Sequence, residues 1–137
     1  MSYRYVIDAY AWIEYFRASK SGEVAKRYIE SEDSATPTVV ISEISRKLLS
    51  EIEMGNETQE GRLERLEFTR ATTQIVSLDF EIAKKAGEID LEMKKKKRGW
   101  GLADSIILCT ARVANGIVVT GDEHFRGLGE IIFIREE

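Results

Sequence analysis

Four acidic residues at distant points of the chain have the types and positions that could support chemistry. Asp8 ends the first β-rich segment, and Asp122 follows the apolar segment 117–120 by two residues. Glu43 lies in the first turn or so of a predicted helix, and Asp104 lies in the first turn of a nearly all-apolar one. Each acid therefore stands close to the end of a strand or the start of a helix.

Clustered carboxylates predict a metal ion, because like charges brought together are costly unless something neutralises them. Oxygen ligands suit Mg²⁺ or Mn²⁺. Zinc is disfavoured, since the chain has one cysteine, Cys109, and one histidine, His124. An ion held by carboxylates can activate water and stabilise the leaving oxygen of a phosphodiester. The residues thus predict metal-assisted phosphodiester hydrolysis, provided that the fold brings the four acids together.

The hydrophobic pattern predicts strands alternating with helices, which is typical of a parallel sheet covered by helices on both sides. In such a sheet the strands end, and the helices start, near one edge, where ligands bind. The four acids are therefore expected to converge there. Gly116 is predicted to cap the last long helix. Strands are predicted at 3–8, 34–38, 74–78, 117–120 and 131–134, and helices at 10–18, 22–29, 39–54, 57–70, 82–93 and 102–115.

The composition limits the class of protein. A length of 137 residues with 43% hydrophobic residues predicts a single domain over 1–137 with its own core. No signal peptide is visible, and the longest apolar runs are far shorter than the roughly 20 residues of a membrane span. We therefore expect a cytoplasmic protein without membrane contact. The net charge of −4 argues only weakly against nucleic acid, because it averages over faces of different sign.

Four segments in order carry a resemblance to a known family. The chain resembles the PIN-domain nucleases and is most similar to the VapC-type ribonuclease toxins of toxin–antitoxin pairs. The resemblance covers essentially the whole chain, and the four motifs in one order are together more specific than any one of them. The segments are VIDAYAWI at 6–13, VISEISRKL at 40–48, LADSIILCTA at 102–111 and VVTGDEHF at 118–125.

The resemblance implies a three-layer α/β/α sandwich with a central parallel sheet. It also implies a Mg²⁺- or Mn²⁺-dependent endoribonuclease, usually a homodimer, that a small antitoxin protein inhibits by inserting a segment near the site. The family's acids fall on Asp8, Glu43, Asp104 and Asp122 as metal ligands and catalytic residues. The hydroxyl residue before the last acid falls on Thr120, which is implied to support a water or a phosphate at the metal.

Two positions depart from the family pattern. Many relatives have another acid two residues after the last one, where this chain has His124, and a bulkier or charged residue where it has Gly121. These departures leave open how many metal ions bind. His124 is a candidate proton shuttle, although a lone histidine is more often structural.

A basic run precedes the helix that carries Asp104 and is a candidate for RNA backbone contacts, with Trp100 as a stacking surface. A solvated helix end explains the same charges equally well. Trp12 and Phe16 are expected in the core or a dimer contact, and Cys109 in the core. The basic run consists of Lys94, Lys95, Lys96, Lys97 and Arg98.

Each acid also has a purely structural interpretation. Asp8 can form a turn, Asp104 can interact with the helix dipole, and Glu43 can pair with Arg46 or Lys47 on the next helical turn. At the level of function, three alternatives remain. They are an RNA-processing PIN nuclease without an antitoxin, a PIN-like module that binds RNA or protein without cutting it, and phosphoryl chemistry with Asp8 as the nucleophile.

Overall fold

In the computed structural model, which describes residues 2–135, the strands form one five-stranded parallel sheet. The predicted single domain also includes Met1, Glu136 and Glu137, which lie outside the described residues. The strand order is β3-β2-β1-β4-β5. The strands are β1 (Tyr5–Ile7), β2 (Ser34–Pro37), β3 (Gln74–Val76), β4 (Ile117–Thr120) and β5 (Ile131–Phe133).

Strand β1 lies at the centre of the sheet. Val6 pairs in register with Ala35 of β2 and with Val118 of β4. The chain adds β2 and β3 on one side of β1 and then returns to add β4 and β5 on the other. The order therefore reverses between β1 and β4, and in open parallel sheets ligands bind beyond the carboxyl ends of the strands at such a point.

The core covers both faces of the sheet. Val6 and Ile7 are neighbours on β1, so their side chains point to opposite faces, and neither is exposed to solvent. The expected α/β sandwich is thereby confirmed. Helix α1 packs against α2, and α5 packs against α6. The helices are α1 (Ala9–Arg17), α2 (Lys20–Ile29), α3 (Thr38–Glu53), α4 (Gln59–Thr72), α5 (Phe80–Lys94) and α6 (Leu102–Arg112), with a short 3₁₀ helix at Glu123–Phe125.

The end of α6 corrects the prediction for Gly116. The residue with positive φ is Asn115, at +53°. The Asn115 amide donates to the Arg112 carbonyl at 3.1 Å, and the Gly116 amide donates to the Ala111 carbonyl at 2.8 Å. These two bonds form a Schellman motif in which asparagine takes the left-handed position. Gly116 is needed for another reason: a Cβ there would lie 2.9 Å from the carbonyl oxygen of Arg4.

On α1, Trp12 lies in the core, as expected, and Phe16 is half-buried beside it. Trp12 has no solvent exposure, and its indole N–H donates to Thr36 Oγ1 at 3.1 Å. Its ring stacks on Phe16 with centroids 5.5 Å apart. Cys109 is also buried. Among the helices of residues 2–135, none combines the length and the apolar character needed to cross a membrane.

Candidate active site

A cavity of about 280 Å³ brings together the four acids singled out in the sequence. Asp8 follows β1 and Asp122 follows β4, so these two acids flank the point where the strand order reverses. Glu43 enters from α3 and Asp104 from α6. The lining residues are Asp8, Ala9, Tyr10, Ile13, Glu14, Arg17, Glu43, Arg46, Lys47, Asp104 and Asp122.

Asp8 is held by hydrogen bonds from the neighbouring strand β4. It is only 4% exposed, and its amide donates to the Val119 carbonyl at 3.1 Å. The Thr120 hydroxyl donates to Asp8 Oδ2 at 2.6 Å, and Thr120 Oγ1 accepts the Asp122 amide at 3.0 Å. Thr120 therefore fixes the orientation of one acid and the backbone of another.

Glu43 differs from the other acids of the cavity because one of its oxygens is fully buried and has no hydrogen-bond partner. It is the sixth residue of α3, because the helix begins at Thr38, one residue before the predicted start. Its Oε1 is buried and makes no hydrogen bond, so the alternative of an ordinary surface ion pair with Arg46 or Lys47 does not account for it. A buried carboxylate oxygen without a partner is costly, and the cost falls when a cation binds there.

Asp104 is oriented by two contacts at the same oxygen. It is the third residue of α6 and 8% exposed. Its Oδ2 accepts the Gly101 amide at 2.9 Å, which is the side-chain half of a capping box. The same Oδ2 lies 2.8 Å from His124 Nδ1. The second contact comes from a residue 20 positions away, and no local sequence pattern predicts it.

Asp122 begins the short 3₁₀ helix and caps it. Its Oδ1 accepts the His124 amide at 2.9 Å and lies 3.8 Å from His124 Nδ1. Asp104, Asp122 and His124 each offer a ligand atom, and these atoms all lie within 4.8 Å of one another. His124 therefore belongs to the acidic cluster through both its backbone and its side chain.

Burial and mutual repulsion change the acidity of the two inner acids. Burial raises the pKa of Asp8 to about 6, against the lowering effect of the hydrogen bond from Thr120. Burial likewise raises the pKa of Glu43 to about 7, and the charges of Asp8 and Asp104 raise it further. A divalent cation in the cavity would reverse these shifts, because it favours the ionised forms.

The donor set fits a hard divalent cation. Four carboxylates supply oxygen ligands, and Glu43 Oε1 is a buried oxygen that nothing else satisfies. Oxygen-rich sites of this kind suit Mg²⁺ or Mn²⁺. Asp8, Glu43, Asp104 and Asp122 are the residues that would hold the ion.

Trp100 does not have the role suggested by its place after the basic run. It is only 3% exposed, its indole N–H donates to Ser105 Oγ at 2.7 Å, and its ring packs edge-on against Phe125. The expectation of a stacking surface for a base is therefore corrected: this ring is part of the core. Its buried position is explained by Ser105, which satisfies the indole N–H.

The basic run lies outside the cavity. Lys94 Nζ donates to the Trp100 carbonyl at 2.8 Å, and Lys97 Nζ donates to the Arg126 carbonyl. These two lysines help to hold the loop before α6. Lys95, Lys96 and Arg98 are exposed.

Three cations that the sequence analysis did not assign to the site do line the cavity. They are Arg17 of α1 and Arg46 and Lys47 of α3. Arg17 pairs with Glu14 at 3.0 Å. The helical spacing of three and four residues from Glu43 was the available signal for Arg46 and Lys47, since it places them near the same face of α3.

The need for glycine at position 121 is explained by the close approach of the Tyr10 ring. A Cβ built on Gly121 would lie 2.3 Å from the Tyr10 ring. The aromatic ring therefore occupies the space that a side chain at position 121 would need. Tyr10 also lines the cavity, so the glycine allows an aromatic wall beside Asp122.

A parallel α/β sandwich with four acids at the carboxyl edge of its sheet is the arrangement of a PIN-like domain. The comparison with protein families gives the same class. The family model described as PIN domain matches residues 5–131. The chain belongs to the PIN domain family. A comparison with curated protein sequences found no match.

Solved structures share the fold over nearly the whole chain. A toxin–antitoxin complex from Klebsiella pneumoniae matches with a TM-score of 0.71 at 20% identity, covering 96% of this chain and 98% of that one. DNA-bound VapBC from Salmonella typhimurium matches with a TM-score of 0.74 at 17% identity, covering 97% of this chain and 99% of that one. VapC20 of Mycobacterium tuberculosis, described as a sarcin-ricin-loop-cleaving toxin, matches with a TM-score of 0.70 at 14% identity. The match covers 92% of this chain and 97% of that one. At such identities the likeness shows a shared fold.

Proposed function

We propose that this chain is a Mg²⁺- or Mn²⁺-dependent endoribonuclease and the toxin of a toxin–antitoxin pair. The observation that carries the metal-dependent chemistry is the unpartnered Oε1 of Glu43 in a cavity with three further carboxylates. Family membership supports nuclease activity, and the shared fold with chains of toxin–antitoxin complexes supports the toxin role.

A bound divalent ion would supply activation of water and stabilisation of the charge that develops on the phosphodiester. The protein's own contribution is orientation. Thr120 holds Asp8 through Oδ2, and Gly101 and His124 hold Asp104 through its Oδ2. Carboxylates held in this way keep their positions when the charge on the substrate changes, which lowers the cost of reorganisation during the reaction.

The cavity wall also carries groups suited to a polyanionic substrate. Arg46 and Lys47 stand beside the acids and are proposed to hold phosphates on either side of the bond that is cut. The exposed members of the basic run, Lys95, Lys96 and Arg98, are proposed to contact the RNA backbone further out. We further propose a small antitoxin protein as partner and a homodimer as the assembly.

Glu43 favours this function over the alternative with Asp8 as a phosphorylated nucleophile. That reaction has no use for a second acid, supplied by α3, with a buried and unpartnered oxygen. Asp8 is also 4% exposed and bound by Thr120, which suits a fixed ligand better than an attacking group. The cleavage experiment described next distinguishes a non-catalytic binding module from the proposed nuclease. The test for an antitoxin distinguishes an RNA-processing nuclease without antitoxin from the proposed toxin.

The decisive experiment is cleavage of a defined RNA panel with Mg²⁺ or Mn²⁺, compared with the same reactions in EDTA. Asp8→Asn and Asp104→Asn are expected to abolish cleavage while circular dichroism stays unchanged. Asp33→Asn is the matched control, because Asp33 is an exposed aspartate outside the cavity. Cleavage in EDTA, or full cleavage by either site variant at saturating Mn²⁺, would overturn the nuclease assignment. Co-purification with the product of an adjacent small gene tests the antitoxin.

A further inference from the structure

We propose that the ring of Tyr10 is the surface on which an RNA base next to the cleaved bond stacks, so that α1 holds the base while α3 holds the phosphates. This inference rests on the proposed ribonuclease function and assigns a substrate-binding residue to the same cavity. It concerns the nucleotide that the cavity receives, and not the metal ion.

The first observation is that α1 gives the acidic cavity an apolar wall. Ala9, Tyr10 and Ile13 all line the cavity, and all three are only partly buried. Ile13 lies three residues after Tyr10 and four after Ala9, so the three side chains share one face of the helix. Tyr10 is the only aromatic residue among those that line this cavity. The wall therefore offers one ring to whatever enters.

The second observation is that cations line the same cavity from another helix. Helix α3 packs against α1 and contributes Arg46 and Lys47 to the lining. Cations attract phosphates, and an aromatic ring stacks on the flat face of any base. A nucleotide carries both groups at once. The volume of about 280 Å³ is at the low end of ligand pockets, roughly 300–1,000 Å³, which suits one nucleotide at a time.

The third observation is that the backbone of Gly121 supports the ring. A Cβ on Gly121 would lie 2.3 Å from Cε1 and 2.7 Å from Cδ1 of Tyr10, so the ring packs directly on this glycine. Tyr10 also packs against the hydrophobic core. A side chain held on these sides has little freedom left to lose when a base stacks on it, which favours binding. Glycine at position 121 therefore positions the ring beside Asp122.

Two substitutions at position 10 separate stacking from the other properties of tyrosine. Tyr10→Phe keeps the ring and loses the hydroxyl. Tyr10→Leu loses the ring and the hydroxyl but still places an apolar side chain over Gly121, so the fold is expected to tolerate it. The comparison of these two variants isolates the ring. Phe80→Leu is the matched control, because Phe80 is 79% exposed and lies outside the cavity.

The test measures RNA affinity by fluorescence anisotropy in buffer with Mn²⁺. All variants carry Asp104→Asn, so that the RNA stays intact. The probes are a labelled RNA that contains the bond cut by wild type, and the same RNA without the base at either flanking nucleotide. Removal of one of these bases should weaken binding about 5–100-fold when position 10 is tyrosine or phenylalanine, as expected for the loss of one stacked base.

The same removal should leave the affinity of Tyr10→Leu nearly unchanged, because that variant has no ring for the base to stack on. Phe80→Leu should show the full loss. A full loss in Tyr10→Leu would place the base elsewhere. Equal behaviour of Tyr10→Phe and Tyr10→Leu would assign the contact to the hydroxyl. Either result would overturn the proposed stacking.

Two further outcomes separate this inference from the function on which it rests. Wild-type cleavage of RNA without any effect of the flanking bases on affinity would overturn the stacking and leave the α1 wall to a protein partner. A wild-type chain that cuts no RNA in the panel would instead overturn the proposed ribonuclease function.

Discussion

The hydroxyl of Thr120 donates a 2.6 Å hydrogen bond to Oδ2 of Asp8, across 112 residues of sequence. The two residues stand at the carboxyl ends of the adjacent strands β4 and β1, in the middle of the sheet. The same hydroxyl oxygen accepts the Asp122 amide at 3.0 Å. Neither Thr120 nor Asp8 has more than 4% exposure, so this contact is shielded from competing water.

Removing the Thr120 hydroxyl should weaken metal binding. Thr120→Val keeps the shape of the side chain but loses the donor, so Asp8 should lose orientation and its pKa should rise above the present value of about 6. We expect Mn²⁺ affinity to fall about 10-fold or more. Thr120→Ser, which retains the hydroxyl, should stay close to wild type. Calorimetric titration with Mn²⁺ measures both, and equal affinities for the Val and Ser variants would contradict the role of this bond.

Without metal, the buried acids should make the fold less stable at higher pH. Folding raises the pKa of Asp8 from 3.8 to about 6, so the folded state holds a proton that the unfolded state has lost. This contribution to stability is present below about pH 4 and is lost as pH rises through about 6. A full shift of this size corresponds to about 3 kcal/mol for a buried group. The raised pKa of Glu43, about 7, acts in the same direction.

Asp8→Asn isolates this effect. Urea unfolding in EDTA measures the free energy of unfolding of the variant minus that of wild type. This difference should be roughly 1 kcal/mol more positive at pH 8 than at pH 5. Saturating Mn²⁺ should stabilise wild type at pH 8 and leave the variant much less affected. A difference between the two proteins that does not change with pH would contradict the assigned shift. Asp33→Asn serves again as the exposed control.

The cations of the cavity wall should matter more for RNA binding than the basic run. The double variant Arg46→Gln, Lys47→Gln removes two charges beside the acids, and Lys95→Gln, Lys96→Gln removes two charges outside the cavity. Both are compared in an Asp104→Asn background, where RNA should stay intact. We expect the first pair to give the larger loss of affinity in fluorescence anisotropy. Its salt slope should fall by about 0.7 per phosphate contact removed.

An equal loss for both pairs would show that the RNA path covers both surfaces. A larger loss for Lys95 and Lys96 would contradict the assignment of the cavity wall to substrate phosphates. Matched net charge in the two double variants excludes a purely long-range effect of charge.

Gly121 should not tolerate alanine. The added Cβ would lie 2.3 Å from the Tyr10 ring, so the ring or the backbone must move. We expect Gly121→Ala to lower the free energy of unfolding by about 1–3 kcal/mol, as overpacking does. Gly87→Ala, in the middle of α5 with nothing within 4 Å of the added Cβ, should instead raise it by roughly 0.5–1 kcal/mol.

A double-mutant cycle with Tyr10→Ala attributes the effect to this contact. The cost of Gly121→Ala should largely disappear when the ring is absent. An unchanged cost would place the strain elsewhere.

Strands, helices and the order of the acids could be predicted because these features depend on local pattern. The apolar run 117–120 forms β4, and the spacing of Ile82, Ala86 and Met93 predicted the buried face of α5. The alternation of strands and helices then implied a parallel sheet, and a parallel sheet places strand ends at one edge. The convergence of the four acids followed from these local patterns and from one topological rule.

The contacts that orient the acids depend on tertiary structure. The sequence does not indicate that His124 would bind Asp104, that Tyr10 would fill the space above Gly121, or that Trp100 would be buried. Each of these contacts joins segments whose separation in space depends on the strand order and on the path of the loops. A shift of about an ångström in that separation is enough to form or break the contact. Periodicity specifies which face of an element is buried, but only the packed chain specifies which atom meets which. The sequence by itself therefore determined the class of chemistry, while the tertiary structure decided which contacts orient the acids.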